Sequence, residues 1–344
     1  MTIGTEVLAS SRVRVYQYLP FLEDAGIRCF VMSMVRKPAV AGMKPSFWKG
    51  IRILMGRIVK YLKIGYYCLV CDVVLIQKVL FPVWRQNLIR LLNRNLVFDF
   101  DDAIYLSGPL EALHRKGVRE ERVCHLLRIC RCVIVCCEHL RSYSRPHNQN
   151  ILMITGPVDC ERYVPRKQRE ENGKLIIGWI GTPNTTPYLE PLIKVFAEIE
   201  RNYPQVAIEL IGASPLKGIC QAVKIVEWSF AGELDHLHRF DIGIMPLWDN
   251  EQSRGKGGYK LLQYMAIGIP CVASPVGINS SLIQEGVNGY LADSEEQWYE
   301  KLARLIENQA LREAMGARGR EIAERDYSLR VSAPKMAEYL KRIG

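Results

Sequence analysis

The sequence contains no hydrophobic run long enough to cross a membrane as a helix. Its two longest apolar stretches are 66–74 and 133–137; Asp72 interrupts the first and Glu138 ends the second. Both fall short of the ~18 residues that a spanning helix needs, which excludes a polytopic membrane protein. Residues 1–10 lack a basic start followed by an apolar run, so we expect no secretory signal.

Several chemical motifs are also missing. The six histidines show no metal-ligand spacing, and Cys68-x-x-Cys71 stands alone, so we expect no metal site. There is no GxSxG nucleophile motif, no GxGxxG dinucleotide motif and no GxxxxGK[ST] phosphate loop. The eleven cysteines are an odd number, and many lie in apolar runs. Without an export signal, this predicts reduced thiols and a cytoplasmic location.

What the chain does contain is typical of a globular protein. It has 344 residues, 49% of them hydrophobic and 24% charged, which excludes disordered and collagen-like classes. Its length predicts two domains of ~150 residues each.

The net charge of +10 lies entirely in the first half. Residues 1–160 carry 23 Lys and Arg against 12 Asp and Glu, whereas residues 161–344 carry 23 against 24. A basic half could bind nucleic acid, an anionic membrane or a phosphorylated ligand; alternatively, its charges simply form a solvated surface. No nucleic-acid-reading motif is present, so we expect no nucleic-acid partner. Segment 47–67 intersperses cations with apolar residues at helical spacing, which indicates either peripheral contact with an anionic membrane or a surface helix covering the core.

Short Val- and Ile-rich runs alternate with helical patterns along the whole chain. Such runs, without polar alternation, are typical of parallel strands buried on both faces, and the alternation predicts an α/β fold of two doubly wound domains. The predicted strands are 28–33, 73–77, 96–100, 133–136, 175–179, 207–211, 242–245 and 270–273, and the predicted helices include 187–202, 258–266, 295–307 and 329–343. The predicted domains are 1–156, 157–326 and a final helical segment, 327–344, that packs back on the first.

Two loops of the second half could hold an anion. Gly181 and Thr182 follow a strand and precede a helix, so their backbone N–H groups could point at a phosphate, although Thr185 or Thr186 could simply cap that helix. The second loop, 254–260 (RGKGGYK), combines three glycines with three cations before another helix. Glycines allow close approach of backbone amides, and cations favour a diphosphate; the alternative is a flexible basic loop.

Two clusters of the first half could contact an acceptor. Asp99, Asp101 and Asp102 end a predicted strand, where open α/β sheets bind ligands. They could bind a metal, act as a base or orient a hydroxyl, or cap the next helix; we favour the acceptor-side role. Near the start of the chain, Ser11, Arg12 and Arg14 could clamp a phosphate or carboxylate, or form a solvated first helical turn.

These features together resemble the retaining glycosyltransferases of family 4, which belong to glycosyl transferases group 1. The resemblance is strongest in 259–277 (YKLLQYMAIGIPCVASPVG) and 285–289 (EGVNG), which match the family signature LEAMAxGxPVVAS…GxNG. Supporting matches are 156–165 (GPVDCERYVP), 240–246 (FDIGIMP), 10–20 (SSRVRVYQYLP) and 98–105 (FDFDDAIY).

The resemblance implies the GT-B fold, with two Rossmann-like domains facing across a cleft. It implies transfer of a sugar, with retention, from a UDP- or GDP-type donor to a glycan or lipid-linked acceptor in cell-surface polysaccharide or glycolipid synthesis. No metal or cofactor is implied. The implied donor site comprises Gly181, Thr182, Arg254, Gly257, Gly258, Tyr259, Lys260 and Gln263. The residues assigned to catalysis are Asp101, Asp102 and Lys256.

The family's Glu-x7-Glu motif falls on Gly255 and Gln263 here, so both carboxylates are missing. Gln263 could still hydrogen-bond a ribose. This departure leaves two other functions open: a catalytically degenerate nucleotide-binding partner protein, and a nucleotide-sugar epimerase on the same fold.

Overall fold

The chain forms two α/β units, each built on a parallel sheet. The computed structural model describes residues 1–34, 47–106, 117–166 and 174–344, and for 47–54 the backbone alone. The first unit comprises Met1–Cys136, Leu140–Met153 and Pro334–Gly344, and the second comprises Cys137–His139 and Ile154–Ala333. The first domain was predicted to end at residue 156, and the structure divides the units after residue 153, three residues earlier. The second domain was predicted to end at residue 326, and the structure divides the units after residue 333, seven residues later.

The first unit contains a four-stranded parallel sheet in the order β1-β2-β3-β4. Its strands are β1 (Val74–Gln77), β2 (Leu96–Phe100), β3 (Cys132–Val135) and β4 (Ile151–Met153). Its helices are α1 (Ala9–Arg14), α2 (Leu19–Asp24), α3 (Phe47–Val70), α4 (Val83–Leu92), α5 (Val118–Ile129) and α6 (Glu138–Ser144). Every residue of β2 and β3 is buried, which explains why their sequences show no polar alternation.

The second unit contains a six-stranded parallel sheet in the order β10-β9-β8-β5-β6-β7. Its strands are β5 (Leu175–Ile180), β6 (Val206–Ile211), β7 (Val223–Val226), β8 (Ile242–Met245), β9 (Cys271–Ala273) and β10 (Gly289–Leu291). Its helices are α7 (Ile193–Asn202), α8 (Glu233–Arg239), α9 (Glu251–Arg254), α10 (Tyr259–Ala266), α11 (Asn279–Leu282), α12 (Glu295–Glu307) and α13 (Gln309–Ile322), and α14 (Leu329–Ile343) begins here and continues into the first unit.

The predicted α/β class with parallel sheets is confirmed. The prediction of a strand at 28–33 is wrong, because only Ser33 forms a bridge, to Thr2, and a strand needs a continuous ladder. The helix predicted over 187–202 is a 3₁₀ helix, Pro183–Leu192, followed by α7; Pro187 and Pro191 lie inside the 3₁₀ part and cannot donate helical hydrogen bonds.

Within the described ranges, none of the helices combines the length and apolarity that crossing a bilayer requires. All eleven cysteines are free thiols.

Candidate anion site at the start of helix α10

The start of α10 carries two glycine N–H groups that could donate to a ligand. Gly258 is the N-cap residue and has a φ of +66°, and a Cβ added there would lie 2.6 Å from Leu282 and 2.8 Å from Ile278. Glycine is therefore required at this position by both conformation and space. Among the residues that the structure describes, none accepts a hydrogen bond from the N–H groups of Gly257 or Gly258. Such amides at a helix N-terminus favour an anion.

Two lysines, Lys256 and Lys260, flank these glycines in the sequence. Lys260 Nζ lies 4.3 Å from the centroid of the Trp179 ring, and Lys256 Nζ lies 5.4 Å from that of Tyr188. In the described part of the chain, no carboxylate lies within 4.0 Å of either ammonium group. Burial, and next the charge of Lys256, lower the pKa of Lys260 to about 7. The pair therefore lacks an anion that would neutralise it.

The third predicted cation is already paired. Arg254 Nε and Nη2 donate to the two carboxylate oxygens of Asp249 at 2.7 and 2.9 Å. Arg254 ends α9, and Gly255 follows it as the C-cap. Tyr259 is the first residue of α10. Of the three predicted cations, only Lys256 and Lys260 are available without breaking an ion pair.

The two amides predicted in the loop after β5 are hydrogen-bonded within the protein. Gly181 N–H donates to the Ile211 carbonyl oxygen at 2.9 Å, and Thr182 N–H donates to Thr185 Oγ1 at 3.0 Å. Thr182, rather than Thr185 or Thr186, is the N-cap of the 3₁₀ helix. Both amides are therefore satisfied within the protein, and their predicted contact with a phosphate stays a prediction.

The same loop is nevertheless part of the site's framework. Gly181 lies against the Trp179 ring that supports Lys260, with no room for a side chain. Ile180 N–H donates to Tyr264 Oη at 3.2 Å, which ties the end of β5 to α10. The structure therefore brings the two predicted loops together at the carboxyl edge of the second sheet, where parallel α/β sheets bind ligands.

Gln263 takes part in a buried hydrogen-bond network that sequence reasoning did not find. Its Nε2 donates to Tyr163 Oη at 3.1 Å and to Glu233 Oε1 at 3.4 Å. Tyr163 Oη donates to Glu233 Oε1 at 2.5 Å, and Trp228 Nε1 donates to Glu233 Oε2 at 3.0 Å. The Gln263 amide thus already has internal acceptors. In the sequence, Tyr163 lies in the 156–165 match and Gln263 in the 259–277 match, but no sequence signal indicated Glu233 or Trp228.

In the first unit, Asp101 and Asp102 share a lysine that was not predicted. Lys78 Nζ lies 2.9 Å from Asp101 Oδ1 and 2.5 Å from Asp102 Oδ2, and Ser10 Oγ donates to Asp101 Oδ1 at 2.8 Å. Burial raises the pKa of Asp101, but Lys78 and other donors lower it by more, so it lies below its ordinary value. Asp101 is therefore a weak base in this arrangement, which argues against proton abstraction.

Lys78 has a φ of +56°, a left-handed conformation that is unusual for a residue other than glycine. Its own N–H donates to the Asp99 carbonyl oxygen at 2.9 Å. This strained backbone holds the ammonium group at the carboxyl ends of β1 and β2. Strain of this kind clusters at functional sites.

The residues predicted to clamp an acceptor phosphate are buried. Arg14 Nη2 pairs with Asp99 Oδ2 at 2.6 Å, and both side chains are almost fully enclosed. Ser11 Oγ accepts from Gly4 N–H at 2.9 Å, and Arg12 is also buried. The Arg14 guanidinium is thus the counter-ion of Asp99, and its predicted contact with an acceptor phosphate stays a prediction. Arg14 also lines a cavity of about 630 Å³ in the first unit, which contains none of the predicted donor-binding residues.

Among the described residues, no group of three His, Cys, Asp or Glu side chains is arranged to hold a metal ion. The expectation of a site without metal or cofactor stays a prediction.

Comparison with known proteins gives a family match over the candidate site. Residues 162–322 match the family described as glycosyl transferases group 1, and the α10 site lies within the matched residues. The chain is 23% identical over 227 residues to the D-inositol 3-phosphate glycosyltransferase of Corynebacterium urealyticum. That match covers 57% of this chain and 52% of the relative, so it spans about half of the relative's length.

Solved structures show the same fold over most of the chain. Sucrose-phosphate synthase from Thermosynechococcus elongatus superimposes with a TM-score of 0.72 at 15% identity, covering 96% of this chain and 92% of that one. Anabaena Alr3699/HepE in complex with UDP superimposes with a TM-score of 0.65 at 16% identity, covering 84% of each chain. The same protein is also known in complex with UDP-glucose. At such identities the likeness shows the fold, which is that of GT-B glycosyltransferases.

Proposed function

We propose that this protein transfers a sugar from a nucleoside-diphosphate sugar to an acceptor hydroxyl. One observation carries the proposal: in the described ranges, Lys256 and Lys260 have no counter-ion, and the neighbouring amides of Gly257 and Gly258 have no acceptor. A diphosphate supplies the two to three negative charges and the acceptor oxygens that this arrangement lacks. The location of these residues in a glycosyl transferases group 1 domain supports the same activity.

The chemistry of the leaving group explains how such a site accelerates transfer. As the bond between the sugar's anomeric carbon and the diphosphate breaks, negative charge accumulates on the leaving phosphate. Two ammonium groups and the positive end of α10 stabilise that charge without reorganising. With a pKa near 7, Lys260 is only partly protonated in the empty site, and the diphosphate raises its pKa so that it takes up a proton.

The proposed donor is a UDP or GDP sugar. UDP is favoured because Anabaena HepE, which shares the fold, binds UDP and UDP-glucose. In the proposed reaction the sugar is transferred with retention. The acceptor hydroxyl's proton passes to the leaving phosphate while the acceptor oxygen bonds to the anomeric carbon, so no protein base is required. The lysines and amides take the place of a divalent cation on the diphosphate.

The proposed acceptor is a glycan or lipid-linked sugar in cell-surface polysaccharide or glycolipid synthesis. Free thiols throughout the described structure suit a reaction in the reducing cytoplasm. In the first unit, Lys78 with Asp101 and Asp102 offers hydrogen-bonding groups for acceptor hydroxyls. Asp101 and Asp102 would orient the acceptor rather than remove its proton.

A thermal-shift screen against UDP, GDP, ADP, TDP and CMP tests the donor site. A ligand at 100 times its dissociation constant adds about 2.7 kcal/mol to the stability of the folded state. We expect one nucleoside diphosphate to raise the melting temperature selectively, and Lys256→Met to abolish the shift. Lys217→Met, which removes an exposed lysine of the same unit, is the matched control. If no nucleotide shifts the folded protein, or if both variants behave alike, the proposed site is wrong.

A binding protein without turnover is the second candidate. It is favoured by Gln263, which occupies the second carboxylate position of the family motif and is bonded to Tyr163 and Glu233. Once a nucleotide that binds selectively is known, an activity assay distinguishes the transferase from the binding protein. In incubations with the corresponding sugar nucleotide, a transferase releases the free nucleoside diphosphate when a suitable acceptor is present, and a binding protein releases none. Conversion of the donor to a sugar of changed configuration with no acceptor present would instead indicate an epimerase.

A further inference from the structure

Helix α3 presents an apolar stripe to solvent. Leu62, Tyr66 and Leu69 follow the spacing i, i+4, i+7, and their exposed fractions are 69%, 61% and 66%. That spacing places all three on one face of the helix. The other large exposed apolar residues of α3 are Met55, Ile58, Val59, Tyr61 and Val70.

This stripe is not the face that packs on the protein. Ile64 and Cys68, spaced i, i+4, are buried and attach α3 to the first unit, and Lys60 Nζ donates to the Ser33 carbonyl oxygen at 2.9 Å. The helix therefore has two apolar faces, and one of them suffices to cover the core. The sequence offered two interpretations of 47–67: contact with a membrane, or a surface helix that covers the core. One helix with two apolar faces can do both. The side chains of 47–54 lie outside the described residues.

Helix α4 extends the apolar surface. Trp84, Leu88 and Leu91 again follow the spacing i, i+4, i+7, and the exposed fractions of Trp84 and Leu91 are 62% and 79%. Arg85 joins the two helices: its Nη1 donates to Tyr61 Oη at 2.5 Å, and its guanidinium lies 4.3 Å from the Tyr61 ring centroid and 4.7 Å from that of Trp84. The exposed apolar residues of α3 and α4 thus form one surface, the α3–α4 face.

The charged residues of helices α3 and α4 are all basic. Segment 47–94, which spans both helices, contains nine Lys and Arg residues, and Asp72 is its single acidic residue. Neither α3 nor α4 contains an acidic residue. Among the described side chains, Arg57, Lys63 and Arg94 are exposed. A large apolar surface with a cationic border and no acidic residue is complementary to an anionic lipid surface, in which apolar side chains enter the acyl region and cations contact headgroups.

A second copy of this chain fits the face poorly. A two-fold dimer would bring the exposed cations Arg57, Lys63 and Arg94 close to the same cations of the other copy, and like charges across an interface are repulsive. Single exposed apolar side chains are common on protein surfaces and need no partner. Here two helical stripes joined by Arg85 form a contiguous patch, and such patches are typical of interaction sites. We propose that the α3–α4 face lies on an anionic membrane surface. This proposal does not depend on the proposed transferase activity.

Vesicle co-sedimentation of the full chain tests the proposal. Vesicles of phosphatidylcholine with about 30% phosphatidylglycerol are compared with pure phosphatidylcholine. Each exposed cation near the surface contributes about fivefold in affinity, so the three described ones predict about a hundredfold preference for the anionic vesicles at low salt. Raising NaCl from about 0.1 M to 0.5 M shortens the screening length and reduces the preference at least tenfold.

Leu62→Glu combined with Leu69→Glu tests the apolar part. Both side chains are mostly exposed, so the variant keeps the fold, which an unchanged melting temperature verifies. We expect at least a tenfold loss of binding to anionic vesicles. Val287→Glu, which adds a charge at an exposed apolar residue of the second unit, is the control and keeps vesicle binding.

Brominated lipids report where Trp84 lies. We expect them to quench part of the tryptophan fluorescence of the wild type, and Trp84→Phe to lose that quenching. Equal binding to both vesicle types, binding that survives Leu62→Glu with Leu69→Glu, or quenching that survives Trp84→Phe would overturn the proposal. So would a lipid-free dimer that the glutamate variant dissociates, since the α3–α4 face would then be a protein interface.

Discussion

Replacing Lys260 with methionine is expected to raise the stability of the protein and to weaken its binding of a sugar nucleotide. Lys260 Nζ lies over the Trp179 ring, and burial together with Lys256 lowers its pKa to about 7. In the unfolded chain the same group keeps its proton up to about pH 10.4. Between these values the unfolded state binds more protons, so the stability of the wild type rises as pH increases from about 7 towards 10.

Methionine fills similar space without a charge, so this pH dependence is lost in Lys260→Met. Below pH 7, where the ammonium of the wild type is buried beside Lys256, we expect the variant to be more stable by about 1–2 kcal/mol, after discounting for partial exposure of the side chain. For a unit of this size, that corresponds to an increase of roughly 2–8 °C in melting temperature. Thermal melts at pH 6, 7, 8 and 9 measure both effects.

Binding changes in the opposite direction. A hydrogen bond to a charged group contributes about 1.5–3 kcal/mol, so at pH 6 the variant should bind the sugar nucleotide about ten- to a hundredfold more weakly. Wild-type affinity is constant below the pKa of the empty site and falls as pH rises above about 7, because binding then requires proton uptake. Titration calorimetry with a sugar nucleotide, whose diphosphate does not titrate in this range, measures both trends.

Lys217→Met, at an exposed lysine of the same unit, controls for the loss of a positive charge. The reasoning is refuted if Lys260→Met lowers the melting temperature below pH 7 while the control leaves it unchanged. It is also refuted if affinity for the sugar nucleotide is the same in the variant and the wild type.

Two further substitutions test the start of α10 and the Gln263 hydrogen-bond network independently. Gly258→Ala should destabilise the protein by about 2–4 kcal/mol and abolish nucleotide binding, because it adds a steric clash to a positive φ. Gly218→Ala is the control: its φ is +75°, but a Cβ there would only make an ordinary contact with Ile193 at 3.9 Å, so it should cost about 1 kcal/mol in chemical denaturation and keep binding. Gln263→Glu places a carboxyl group beside Glu233 and Tyr163, so we expect a loss of about 1–3 kcal/mol at pH 8 that is recovered towards pH 5 as the pair takes up a proton. Denaturation equally cooperative and equally stable at both pH values would contradict that account of the network.

The central strands could be predicted from sequence because burial on both faces leaves an unbroken apolar run. Leu96–Phe100 and Ile242–Met245 have the predicted bounds. The strands Ile151–Met153, Val223–Val226 and Gly289–Leu291 were not predictable in this way. They are three or four residues long and lie at the edges of their sheets, so their apolar pattern is too short to distinguish from a loop.

The glycines and cations of the α10 site were also visible in the sequence, since their spacing and the strand–loop–helix order are local properties. The sequence did not show which backbone N–H groups remain without an acceptor in the folded protein. Gly181 and Thr182 looked as suitable as Gly257 and Gly258, yet the first two amides are satisfied inside the protein.

The amino-acid sequence by itself determined the α/β class, the position of the main strands and the chemistry carried by the 254–260 loop. Only the tertiary structure decided which charges remain free for a ligand. Arg14 pairs with Asp99, which is 85 residues away, whereas Lys260 has an aromatic ring and another lysine as neighbours. Ion pairs and desolvation depend on distances through space, and the order in which the strands assemble sets those distances.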